Sequence, residues 1–151
     1  MSSLAILAST AVLLGWSTQA AAQLPARLFT TGANNEIHFS SGSGQWCVHV
    51  EPISGGFDLT NIDLCSVRLS SPGNGSVNEI ALNCTKPVVI GDGDGNGIQD
   101  IDFCFLKTAM HPLFDNLHGN SPKTVTVFVT GNLYSGGSFG GSLTLTLYLK
   151  S

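Results

Sequence analysis

From residue 36 onward one pattern recurs: apolar and polar residues alternate, and Gly, Asn, Ser or Pro breaks the run every few steps. A period of two is that of a strand with one buried and one solvated face, and the interruptions supply turn chemistry. "EIHFS" (36–40) and "QWCVHV" (45–50), separated by "SGSG", read as a hairpin. "LCSVRLS" (64–70) and "EIALNC" (79–84) read as a second pair joined by "SPGNGSVN". In "IDFCF", Ile101, Phe103 and Phe105 share a face. "KTVTVFVTGNLY" and "GSLTLTLYLK" predict a long antiparallel hairpin, with the Gly-rich "SGGSFGG" between them taken as loop.

One segment departs from this pattern. In "TAMHPLFDNLHG", Met110, Leu113, Phe114 and Leu117 follow helical spacing. Thr108 can cap the segment, Gly119 can end it, and Pro112 limits it to about two turns. The fold class predicted is all-β: an Ig-like antiparallel β-sandwich with one short helix.

The amino terminus reads separately. Leu4–Trp16 is an uncharged apolar run, too short to span a bilayer, and Ala20 and Ala22 fit an A-x-A cleavage site. Residues 1–22 are therefore read as a secretory signal and 23–151 as a single domain, periplasmic or extracellular, with no membrane span in the mature chain. All four cysteines lie in that domain. An even count in an oxidising compartment implies two disulfides, with three connectivities open. A Cys65–Cys84 bridge is reasonable across the predicted 64–84 unit, and Cys47 and Cys104, each opposite an apolar face, make the natural second pair. No close C-x-x-C spacing points to zinc or redox chemistry.

The net charge of −4 arises locally. Asp92, Asp94, Asp100 and Asp102 cluster, while the other acids balance the six Lys and Arg. No basic footprint exists for nucleic acid and no polybasic patch for membrane.

The cluster lies in "VVIGDGDGNGIQDIDFCF" (88–105). In "DGDGNGIQD" (92–100), oxygen-bearing side chains fall at positions 1, 3, 5 and 9: Asp92, Asp94, Asn96 and Asp100. Alternate residues of a tight loop can surround a calcium ion, which takes six to eight oxygens. Gly97 permits the sharp turn and Ile98 offers its carbonyl. An EF-hand would close with an acid at position 12, where Phe103 stands, and would carry flanking helices in place of strands. The spacing resembles the calcium loops of integrin-type (FG-GAP-like) propeller repeats, and that resemblance implies Asp92, Asp94, Asn96, Ile98 and Asp100 as ligands. Glu51, Asp58 or Asp63 can complete the shell from elsewhere.

A longer resemblance joins "WCVHVEPISGGFDLTNIDLCSVRLSSPGNGSV", "GDGDGNGIQDIDFCF" and "VTGNLYSGGSFGGSLTL". This pattern is similar to a family of secreted bacterial β domains found as extra modules of exported proteins. It implies a β fold and an exported compartment.

Catalytic chemistry finds no support: no G-x-S-x-G elbow is present, and no spacing recommends a carboxylate pair. His111 and His118 are split by Pro112 and do not suggest zinc; His38 and His49 read as outward-facing strand residues. The expectation is a non-catalytic module with one structural calcium, meeting a protein or glycan surface. The alternative is a carbohydrate-binding module, which needs exposed rings; Trp46, Tyr134, Tyr148, Phe128 and Phe139 are the aromatics available, and Trp46 falls on an apolar face.

Overall fold

The computed structural model describes residues 21–32, 35–40 and 44–149, so the predicted signal falls outside it up to residue 20. The chain is all-β with one short helix. Its strands are β1 (Leu24–Phe29), β2 (Glu36–His38), β3 (Gln45–Pro52), β4 (Arg68–Ser70), β5 (Glu79–Ala81), β6 (Val89–Gly91), β7 (Asp100–Leu106), β8 (Lys123–Asn132) and β9 (Ser138–Tyr148), with α1 (Lys107–Met110) after β7. They form one curled mixed sheet in the order β5-β4-β8-β9-β1-β3-β7-β6, with β2 also on β9.

Alternation sets the faces as predicted. Trp46, Val48 and Val50 of β3, and Ile101, Phe103 and Phe105 of β7, are buried in one core with Val125, Val127 and Val129 of β8 and Leu145 and Leu147 of β9. The β8–β9 hairpin runs antiparallel from Lys123↔Leu147 to Asn132↔Ser138. Both disulfides form: Cys47–Cys104 joins directly opposed residues of β3 and β7, and Cys65–Cys84 ties the turn at Leu64–Ser66 to the segment after β5. Cys65 sits in that turn, exposed, while Val67 and Leu69 alone carry the inward face there.

Four expectations need correction. The predicted hairpin between 36–40 and 45–50 does not form: β2 pairs in parallel with β9, while β3 lies between β1 and β7 and has both edges occupied. The sheet is not wholly antiparallel, because β1 also meets β9 in parallel through Leu24↔Phe139 and Pro25↔Gly140 before Ala26–Phe29 turn to β3. The helical segment is shorter than two α-turns. Lys107–Met110 is α-helical and His111–Leu113 tightens into a 3-10 turn; Leu106 occupies the cap position in place of Thr108. Pro112 has no N–H to continue the α ladder, and the tighter turn still buries Met110, Leu113 and Phe114.

The fourth correction concerns the Gly-rich stretch. Ser138–Gly141 belongs to β9, not to a loop, and glycine is required there by close approach. A Cβ on Gly141 would lie 2.3 Å from the Ala26 carbonyl oxygen, so the crossing of β1 over β9 depends on its absence. Gly141→Ala is accordingly expected to destabilise the protein by about 1–3 kcal/mol, the range for overpacking. At Gly44 a Cβ meets nothing within 4 Å, so Gly44→Ala is expected to stay within about 0.5 kcal/mol of the parent. Chemical denaturation of the two variants checks both values.

Candidate functional site

The loop of interest closes the β6–β7 hairpin, whose last pair is Gly91↔Asp100. Its side chains fold back on its own backbone. The Asp92 carboxylate accepts N–H bonds from Asn96 at 3.0 Å and Gly97 at 2.9 Å. Asp94 Oδ1 accepts from the Asn96 N–H at 3.3 Å, and Asn96 Oδ1 accepts from the Ile98 N–H at 2.7 Å. Gly95 and Gly97 take φ of 73° and 86°, the left-handed backbone this winding requires. Asp100, 2% exposed, closes the loop: Oδ2 accepts from the Gly93 N–H at 2.7 Å and Oδ1 meets His49 Nδ1 at 2.7 Å.

Beyond the loop, β1 and β3 contribute a second layer of charge. Arg27 and Glu51 are direct partners across β1 and β3. The guanidinium donates from Nε to Glu51 Oε1 at 2.8 Å and from Nη2 to Oε2 at 2.9 Å, and Nη2 also reaches Asp94 Oδ2 at 2.5 Å. Glu51, 4% exposed, accepts in addition from Asn96 Nδ2 at 2.8 Å. Arg27 lies over the Phe29 ring, 4.2 Å from its centroid, and Phe29 stacks on His49. One connected network therefore runs from β1 through β3 into the loop.

The electrostatics follow from Arg27. Its hydrogen bonds hold the Glu51 carboxyl below the usual carboxylate range, with Asn96 adding a smaller effect, and it depresses Asp94 as well. Asp102 moves the other way: desolvation raises it, with the nearby Asp100 charge adding to the rise and His49 opposing it.

Of the residues named from sequence, Asp92, Asp94, Asn96 and Asp100 all turn onto the loop, while the Ile98 side chain stays half exposed. Among the three outside acids, Glu51 joins the loop through Asn96. Asp58 and Asp63 instead cap the 3-10 turns at Leu59–Asn61 and Leu64–Ser66. Arg27 and His49 were not identified from sequence as parts of this site; their roles arise from strand register, which a lone arginine or histidine does not announce. His111 and His118 line one cleft of about 210 Å³ beside Phe39.

Among the described residues, only Cys47, Asp102 and Cys104 bring three candidate ligand atoms within 4.8 Å of one another, and there both sulfurs are engaged in the disulfide. The loop carboxylates are more widely set. Asp92 nevertheless accepts a single N–H bond at each oxygen, so lone pairs remain for a cation, and Asn96 and Glu51 are already drawn in beside it. The donor set fits a hard ion, with one rival: Arg27 already supplies positive charge to Asp94 and Glu51. Comparison with known protein families, curated proteins and solved structures returns no match.

Removing that internal cation should be measurable. Arg27→Met leaves Glu51 buried without its cationic partner, Asn96 alone still donating to it, and is expected to destabilise the metal-free protein by about 1–3 kcal/mol at neutral pH. This lies below the loss for a fully buried pair because the arginine side chain is 39% exposed. A depressed carboxyl stabilises the fold above its unfolded pKa, and that contribution disappears as pH falls through the folded value. The gap between parent and variant is therefore expected to narrow below about pH 4, where Glu51 and Asp94 take up protons. Urea midpoints across pH 2.5–7 (roughly the span of carboxyl titration) check it.

Proposed function

We propose that this chain is an exported, non-catalytic module in which the 92–100 loop binds one structural calcium ion. The supporting observation is that the loop carboxylates, Asn96 and the buried Glu51 collect at one end of the paired strands β6 and β7. Asp92, Asp94, Asn96 and Asp100 would hold the ion by side chains and Ile98 by its carbonyl, with Glu51 the nearest additional carboxylate. Calcium would supply double positive charge to a loop whose acids otherwise meet Arg27 and, at Asp100, His49, and so would tie the end of β6 to the start of β7. The partner of such a module is a protein or glycan surface.

Two disulfides fit an oxidising compartment. No helix of the described residues is long and apolar enough to cross a membrane. We read the two halves of the curled sheet, β5-β4-β8-β9 and β3-β7-β6, as the faces of an Ig-like sandwich bridged by β1, because their inward residues share one core.

Without an acid at position 12, affinity near 0.1–1 mM is expected, roughly that of extracellular modules. Isothermal titration and thermal shift with calcium test the proposal. Saturable heat lost in an Asp92→Asn, Asp94→Asn double variant supports it; no heat and no shift at about 5–10 mM calcium, well above that range, overturns it. If the ion and Arg27 compete for Asp94, Arg27→Met is expected to tighten calcium binding several-fold.

The carbohydrate-binding alternative rests on Tyr134, 70% exposed, and Phe128, 41% exposed, since Trp46 and Phe139 lie in the core and Tyr148 is stacked on His38. Glycan-array binding abolished by Tyr134→Ala would favour it.

A further inference from the structure

A cavity of about 300 Å³ opens on the outward face of β7, roofed by the segment between β5 and β6. Leu82, Val88 and Val89 give it apolar walls, Cys104 of the β3–β7 disulfide forms one side, and Asp102 and Lys86 both line it. Among the described residues Asp102 Oδ1 is the one buried side-chain oxygen or nitrogen atom without a hydrogen-bond partner. Its neighbour Oδ2 lies 3.7 Å from Cys104 Sγ, and that sulfur, oxidised, has no proton to donate. Oδ1 is closed to solvent, so Oδ2 is the oxygen left for a ligand in the cavity to meet, and a charged donor there offsets the unfavourable burial of an unpaired carboxylate.

The opposite charge in the same space narrows the ligand. A simple amine would satisfy Asp102 while placing its charge in the same cavity as Lys86. A molecule that carries both an ammonium and a carboxylate satisfies both side chains, and an apolar body suits the walls. We propose that this cavity binds a small zwitterion of the apolar amino-acid class, its ammonium on Asp102, its carboxylate on Lys86 and its body against Leu82, Val88 and Val89. The site lies outside the 92–100 loop, and nothing in it requires calcium.

Titration of the full chain at pH 7.5 (roughly one unit above the ordinary histidine range) with three probes tests this: norleucine, pentylamine (norleucine without its carboxylate) and hexanoate (norleucine without its amine). Amide NMR shifts at Val88, Val89, Asp102 and Cys104 report binding. Norleucine is expected to bind, with pentylamine and hexanoate each at least roughly tenfold weaker, the value of one charge-assisted contact. Asp102→Asn and Asp102→Leu are each expected to remove norleucine binding, the second variant guarding against an unpaired amide disturbing the wall. Lys86→Met is expected to remove the advantage of norleucine over pentylamine. No shift with norleucine at about 10 mM, above the weak millimolar range, overturns the proposal. So does binding that survives both Asp102 variants, or pentylamine binding as well as norleucine to the parent protein.

Discussion

The register of β3 against β7 is the constraint on which the rest depends. Trp46, Val48 and Val50 face Phe105, Phe103 and Ile101 into the core, and the residues between them are thereby sent outward. That outward row contains Gln45, Cys47, His49 and Glu51 on β3, with Cys104 and Asp102 opposite. A slip of one residue would put the polar set into the core. It would also separate Cys47 from Cys104, His49 from Asp100 and Glu51 from Asn96, so one register accounts for the bridge, the closure of the loop and the charge network together.

Burying Glu51 and Asp100 at that end carries an electrostatic requirement. Both are almost wholly removed from water, and each has a specific partner: Arg27 for one, His49 and the Gly93 N–H for the other. Arg27 suits the role because its planar fork meets Glu51 with two bonds and still reaches Asp94, while Phe29 supports its face. The loop thus has an internal counter-ion as part of its own design. On the proposed calcium reading, an added divalent ion would share that work with the arginine. Asp102 contrasts with this arrangement: it lies on the same outward face, opposite His49 in the ladder, yet its buried oxygen has no hydrogen-bond partner among the described residues.

Much of this could be read from the chain beforehand, and the successes share a cause. Alternation in 45–50, 101–105, 125–129 and 143–149 is local, and burial follows it. The parity that places Cys47 and Cys104 opposite their apolar faces is equally local, so the bridge between them was legible. The misses are non-local. β1 has its pattern broken by Pro25 and Arg27, and only its partners β3 and β9 reveal it as a strand. β2 has a single inward residue, Ile37, which carries no information about which edge it joins. Gly141 looks like loop composition until the Ala26 carbonyl beside it is known. At the loop, spacing named the acids, while the arginine that neutralises them depends on a cross-strand pairing no short window contains.

The crossing of β1 over β9 has a consequence for how the molecule comes into being. The first strand described takes its partners from β3 and from β9, which ends at Tyr148, and β2, among the described strands, pairs with β9. Until that last strand is present, the opening segments have half their neighbours or none. Loop closure over more than a hundred residues is slow and unrewarded until its contacts form. Strands paired across so long a stretch of sequence take their places together, once β9 is present.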